Sequence, residues 1–147
     1  MTISPRPEFP ESIRTDHRDL DELLGRFLQA AAAGSLSAAV QAIATFDDAL
    51  RFHTRMEESM FPELRAGKLV ASPGETAADI LFRELRVEHV QIRELSGMTR
   101  RVLGETADLA GARGLAASLA NRWDAHTKRE ERDWLTGAPP DSPSLSS

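Results

Sequence analysis

The strongest constraint on this chain is a repeat built around its four histidines. The segment His53-Thr54-Arg55-Met56-Glu57-Glu58 matches His126-Thr127-Lys128-Arg129-Glu130-Glu131 almost residue for residue, at an offset of 126 − 53 = 73. Asp16-His17 is matched by Glu88-His89 at an offset of 89 − 17 = 72. Two separate matches at nearly one offset mark an internal duplication. Within each half the second histidine follows the first by 36 residues (His17 to His53) or 37 (His89 to His126). That spacing suits one helix, a turn and a second helix, so the chain reads as two hairpins of one design.

Four segments carry helical periodicity and none shows convincing strand alternation. The first runs from Pro10 to Ala33, with Ile13, Leu20, Leu24, Phe27 and Ala31 on one stripe, His17 between the first two, and Gly34 as its stop. The second spans Leu36 to Leu64 along Ile43, Phe46, Leu50, His53, Glu57, Met60 and Leu64, with Pro62 expected to kink or end it near Phe61. A loop containing Gly67, Pro73 and Gly74 follows. The third, Thr76 to Leu103, aligns Leu81, Leu85, His89, Ile92, Ser96 and Thr99; the fourth, Leu115 to Leu135, aligns Leu115, Leu119, Arg122/Trp123, His126, Glu130 and Trp134. Short connections between four such segments predict an all-α, antiparallel up-down-up-down four-helix bundle. The bundle is expected over 10–136, with 1–9 as a loose arm and 137–147, rich in proline and serine, as a disordered tail.

Composition narrows the chemistry. With 147 residues the chain can bury one core, and with no cysteine it has no disulfide framework, thiolate metal ligand or thiol nucleophile. With no tyrosine it has no phenolate ligand. A net charge of −5 argues against nucleic acid as a partner, since phosphate recognition needs a clustered basic face. No stretch is apolar enough to cross a membrane, and MTISPRPEFPES lacks the apolar core of a secretory signal, so a cytoplasmic location is expected.

Histidine and glutamate four residues apart share a helix face. His53/Glu57 and His126/Glu130 both lie on apolar stripes, and His17 and His89 add one imidazole from each remaining helix. Two carboxylates in an apolar core are unfavourable unless a cation compensates them. Four imidazoles and two carboxylates suit two metal ions that share the glutamates as bridges, with iron, manganese or zinc as the fitting metals. The Glu-x-x-His spacing of ferritin-like di-iron proteins is absent, because Arg14, Leu50, Arg86 and Trp123 stand three residues before the histidines.

The pattern His17, His53-x-x-x-Glu57, His89, His126-x-x-x-Glu130, with its Glu-Glu doublets and the Phe61-Pro62 that follows the first, resembles the hemerythrin-like (HHE cation-binding) family, in its branch with four histidines and two glutamates. The resemblance covers about residues 10–135. It implies a non-haem di-iron centre bridged by two carboxylates and an oxo or hydroxo group. His17 and His53 would serve one iron, His89 and His126 the other, and Glu57 and Glu130 would bridge. Oxygen-carrying members place a second histidine one turn after the one in the third helix, where this chain has Arg93. They also use His-x-x-x-x-Asp in the fourth helix, where this chain has His-x-x-x-Glu. The departures favour redox reactivity or sensing over reversible oxygen carriage.

The expected ligand is a small diatomic or peroxide: oxygen, nitric oxide or hydrogen peroxide. A metal-dependent sensing or interaction module, and a structural zinc or manganese protein, are the alternatives; no protein partner can be named. Glu58 and Glu131 lie about 100° off the ligand line and are expected to be solvated or to stand behind the ligands. Asp16 and Glu88 could orient neighbouring imidazoles but are read first as exposed charge, and Met56, Met60, Trp123 and Trp134 as core or seam residues. Arg93 is open between lining the site and pointing outward.

Overall fold

The computed structural model describes residues 8–61 and 76–135. They form four helices: α1 (Glu8–Ala32), α2 (Leu36–Glu58), α3 (Ala77–Thr106) and α4 (Leu109–Arg129). The last continues as a π-helical turn over Glu130–Trp134, closed by the Leu135 N–H donating to the Glu130 carbonyl at 2.9 Å. There is no strand among the described residues. α1 packs on α2 and α3 on α4, and contacts of α2 with α3 and of α4 with α1 close an antiparallel four-helix bundle.

Local chemistry sets the helix ends. Gly34, at φ 75°, takes the left-handed conformation after α1 that costs a residue with a Cβ. The chain then turns back so that the Ser35 N–H reaches the Ala30 carbonyl at 2.9 Å. Thr76 and Asp79 form a reciprocal capping box at the start of α3. Asp108 caps α4 by accepting from the Gly111 N–H at 2.9 Å. That cap starts α4 six residues before Leu115; Gly111 and Gly114 weaken the helical pattern of a turn that nonetheless buries Ala112 and Ala116.

α2 stops at Glu58, short of the expected Leu64. A proline at 62 would clash with the carbonyl at 58 if the helix ran on. Once the helical register is lost, Met60 leaves the seam and is 37 % exposed, while Phe61 is buried. Leu64, Gly67, Pro73 and Gly74 fall outside the described residues, as do most of the arm over 1–9 and all of the tail over 137–147. Met56 and Trp134 are half-buried, Arg122 is exposed, and Trp123 is core.

The core runs the length of the bundle through Leu24, Phe27, Ile43, Phe46, Leu50, Ile92, Leu103, Leu119 and Trp123. Each large side chain fully removed from water contributes roughly 1.5–3 kcal/mol. A second cluster, Phe61, Leu81, Phe82 and Leu85, closes one end beside Trp134. Phe61 stacks on Phe82 with ring centroids 4.7 Å apart. No described helix is long and apolar enough to cross a membrane.

One buried charge ties α2 to α3 away from the histidines. Asp47 accepts from Ser96 Oγ at 2.7 Å, Arg51 Nε at 3.1 Å and Arg100 Nη1 at 3.0 Å. Burial would raise its pKa, but these three donors outweigh burial and hold it below 3.8. A carboxylate whose folded pKa is depressed stabilises the fold above its unfolded pKa and loses that contribution as pH falls through the folded value. Asp47→Ala is therefore expected to cost about 2 kcal/mol at neutral pH. In urea unfolding the gap to the parent should narrow once the pH drops below 3.8; a gap independent of pH would contradict the ion-paired role.

Candidate metal centre

Each helix delivers one histidine to the same level of the bundle. His17 comes from α1, His53 from α2, His89 from α3 and His126 from α4. Glu57 lies one turn after His53, and Glu130 one turn after His126 at the first residue of the π-turn. All six are buried, none more than 3 % exposed. The sequence pattern placed them on core faces, and the fold brings all six together.

The six side chains form two overlapping clusters, His17/His53/Glu57/Glu130 and His89/His126/Glu57/Glu130, in each of which the candidate donor atoms lie within 4.8 Å of one another. The glutamates belong to both. Glu57 Oε2 is 2.8 Å from His53 Nε2 and 3.3 Å from His17 Nε2, while its Oε1 is 2.9 Å from His89 Nε2. Glu130 mirrors this: its Oε2 is 3.0 Å from His126 Nε2 and 3.3 Å from His89 Nε2, and its Oε1 is 2.9 Å from His17 Nε2. Each carboxylate thus presents one oxygen to each histidine pair.

Short distances here are not all hydrogen bonds. His53 Nε2, Glu57 Oε1, His126 Nε2 and Glu130 Oε1 are buried without an aligned partner, although each has an opposite-type atom within 3.0 Å. A buried polar atom left unpaired costs about 1–3 kcal/mol. Four such atoms on converging side chains suit a cation that uses their lone pairs. Imidazole nitrogen and carboxylate oxygen are donors for iron, manganese and zinc, so the residues present fit a metal.

Outside this cluster lies a ring of four more carboxylates, each accepting from the Nδ1–H of a histidine on a neighbouring helix. Asp16 on α1 takes His53 at 3.3 Å, and Glu58 on α2 takes His89 at 2.8 Å. Glu88 on α3 takes His126 at 2.7 Å, and Glu131, beyond α4, takes His17 at 2.8 Å. The bracing therefore runs α1 to α2 to α3 to α4 and back to α1. It places the proton of a neutral ring on Nδ1, leaves the Nε2 lone pair facing the centre, and raises ring basicity.

The electrostatics follow. Burial pushes the His17 imidazole down, but Glu130 and Glu57 outweigh it and raise its pKa to about 10. His89 is raised well above 6.5 against burial by Glu130, Glu57 and Glu58, and His126 is raised against burial by Glu130 and Glu88. Burial favours the neutral form of Glu130, yet the His126 charge and the surrounding imidazole donors hold its pKa well below 4.5. Burial and the Glu130 charge push Glu57 up, and His17, His53 and His89 bring it below 4.5. Both carboxylates are therefore held ionised in the core, and the raised imidazole pKa values mark the positive charge that they draw to compensate them.

The structure corrects the reading of the outer residues. For Asp16 and Glu88 the imidazole-orienting reading holds: they accept from the rings of His53 and His126 on the neighbouring helices. Arg93 neither lines the cluster nor points away: it donates to Thr54 Oγ1 at 3.0 Å and Glu58 Oε2 at 3.4 Å. Arg129, which the sequence did not single out, donates to Glu88 Oε2 at 2.6 Å. Trp123 packs edge-on against His17 at 5.6 Å and donates its indole N–H to Asp21 Oδ1 at 2.6 Å. The signal for the ring was in the repeat, which keeps an acidic residue beside each of His17, Glu57, His89 and Glu130.

A family model, the hemerythrin HHE cation-binding domain, matches residues 9–137. The chain belongs to this family. As a hemerythrin HHE domain it is a metal-binding domain, and its buried histidine and glutamate groups could hold an ion. No curated protein and no solved structure matches it. If the cluster holds the metal of this HHE domain, His53→Ala should carry less metal than the parent. Glu57→Ala, whose carboxylate faces both clusters, should carry less again. Mass-spectrometric metal analysis of the three purified proteins tests this, and equal metal in all three would remove these residues from the ligand set.

Proposed function

We propose that the chain is a non-haem di-iron protein that binds or reacts with oxygen, nitric oxide or hydrogen peroxide, in sensing or detoxification. The observation that carries this reading is the way Glu57 and Glu130 each offer one oxygen to each histidine pair. Two clusters sharing two carboxylates make a donor set for a pair of ions, each with two nitrogens and two oxygens. His17 and His53 would hold one ion, His89 and His126 the other, and Glu57 and Glu130 would bridge them. Donor sets of imidazole and carboxylate with open positions suit ferrous chemistry. When bound, a ferrous pair supplies those open positions and an electron from each ion to a small oxidant.

The residues around the cluster restrict what can reach it. Trp123 covers His17, His53 and His126 with ring centroids 5.6–6.2 Å away, and Phe61 stacks against His89 at 6.1 Å. Burial to at most 3 % exposure under aromatic walls supports a ligand no larger than a diatomic or a peroxide. The outer carboxylates keep each ring aimed inward and its Nδ1 proton off the centre.

One observation also favours a sensing role. The cluster draws on all four helices, so occupancy by metal or ligand is coupled to bundle packing, and binding energy becomes folding energy. Protein expressed in iron-replete medium and reduced without air should change its optical spectrum on exposure to oxygen or nitric oxide. Net consumption of the ligand would mark reaction; metal-dependent unfolding without consumption would mark sensing. A colourless protein containing only zinc would contradict the iron assignment.

A further inference from the structure

We infer that the two halves of the centre are unequal: the His89/His126 half takes its ion first and holds it, and the His17/His53 half carries the exchangeable ion. This rests on the reading of the cluster as a two-ion site, and it deepens that reading by assigning an order to the ions.

The asymmetry lies in what braces the imidazoles. On the α3/α4 side both bracing carboxylates are themselves clamped. Glu58, 17 % exposed, is held by Arg93, which is anchored in turn on buried Thr54. Glu88, 27 % exposed, gives one oxygen to His126 and the other to Arg129 at 2.6 Å, and Arg129 is fixed by Glu84 on α3. On the α1/α2 side Asp16 and Glu131 are 36 % and 38 % exposed. Among the described residues neither is paired with an arginine or lysine.

The repeat makes this a comparison of equivalent positions. Asp16 is the counterpart of Glu88 (88 − 72) but one methylene shorter, and its contact stretches to 3.3 Å where that of Glu88 is 2.7 Å. The counterpart of Arg93 is Asp21 (93 − 72), which is engaged with Trp123. The counterpart of Arg129 is Met56 (129 − 73), which carries no charge. Among the described residues, one copy of the hairpin pattern has both clamps and the other has neither.

A clamped carboxylate keeps its imidazole oriented and basic, whereas an exposed one exchanges partners with water and must be ordered when metal binds. The charges of Arg93 and Arg129 are offset by the carboxylates they hold, so their effect at the centre is chiefly one of orientation. Outer-shell partners of a ligating histidine are typically worth about 10–100-fold in metal affinity. The two halves should differ by that order, with the clamped half tighter.

The test is an anaerobic titration of the full chain, stripped with a chelator, using cobalt(II) followed by its visible absorption. Two binding steps about 10–100-fold apart are expected. Repulsion between two dications separates the steps even at equal sites, so the order is read from variants. His89→Ala should remove the tight step, and His53→Ala should leave it. Arg93→Leu with Arg129→Leu should weaken the first step, with helicity checked by circular dichroism. Asp16→Glu, which lengthens the short brace without removing anything, should tighten the second step. Loss of the tight step in His53→Ala, or variants at Arg93, Arg129 and Asp16 that leave both steps unchanged, would overturn the inference while the two-ion reading stands. Binding of a single cobalt to the unsubstituted chain would overturn both.

Discussion

Two carboxylates buried at the centre of a helical core govern this molecule. Glu57 and Glu130 have no solvent exposure, and each lies within 3.3 Å of three imidazole nitrogens. An isolated carboxylate in such a place would be neutral or would unfold its surroundings. Here both are held ionised against burial by the imidazoles around them. Every helix contributes to that compensation, so the four-helix arrangement and the charge balance at its centre are one problem with one solution. The metal-binding character of the family is the same compensation made with a cation.

Helix geometry makes the arrangement repeatable. A residue one step along a helix is rotated by about 100°, so an acidic neighbour of a core-facing residue reaches the adjoining helix. Asp16, Glu58, Glu88 and Glu131 each use that rotation to brace a histidine they do not share a helix with. The ring stitches the helices together around the cluster and aims the imidazoles. The repeat supplies four similar braces, and the halves differ where Asp16, Asp21 and Met56 stand opposite Glu88, Arg93 and Arg129.

Much of this was legible in the chain because the relevant signals are periodic and local. His53/Glu57 and His126/Glu130 fall on apolar stripes at a one-turn spacing, which settles the face they occupy. The repeat then requires His17 and His89 to meet them. What could not be read is which helix a side chain serves: Asp16 sits beside His17 but braces His53. Asp47, one step from Phe46, is buried because Ser96 and Arg100 of α3 receive it, a fact that no single helix contains. The start of α4 was hidden by Gly111 and Gly114 and set by the Asp108 cap. Met60 fell off its stripe because α2 ends before it.

On the function proposed above, these six buried side chains hold two ions between shared carboxylates. Anomalous diffraction at the iron edge, from crystals of the full chain grown after iron-replete expression, tests it most directly. Two peaks are expected in the middle of the bundle, one flanked by His17 and His53 and the other by His89 and His126, with both Glu57 and Glu130 touching each. Iron absent from the cluster, or bound only by residues outside it, would overturn the two-ion assignment.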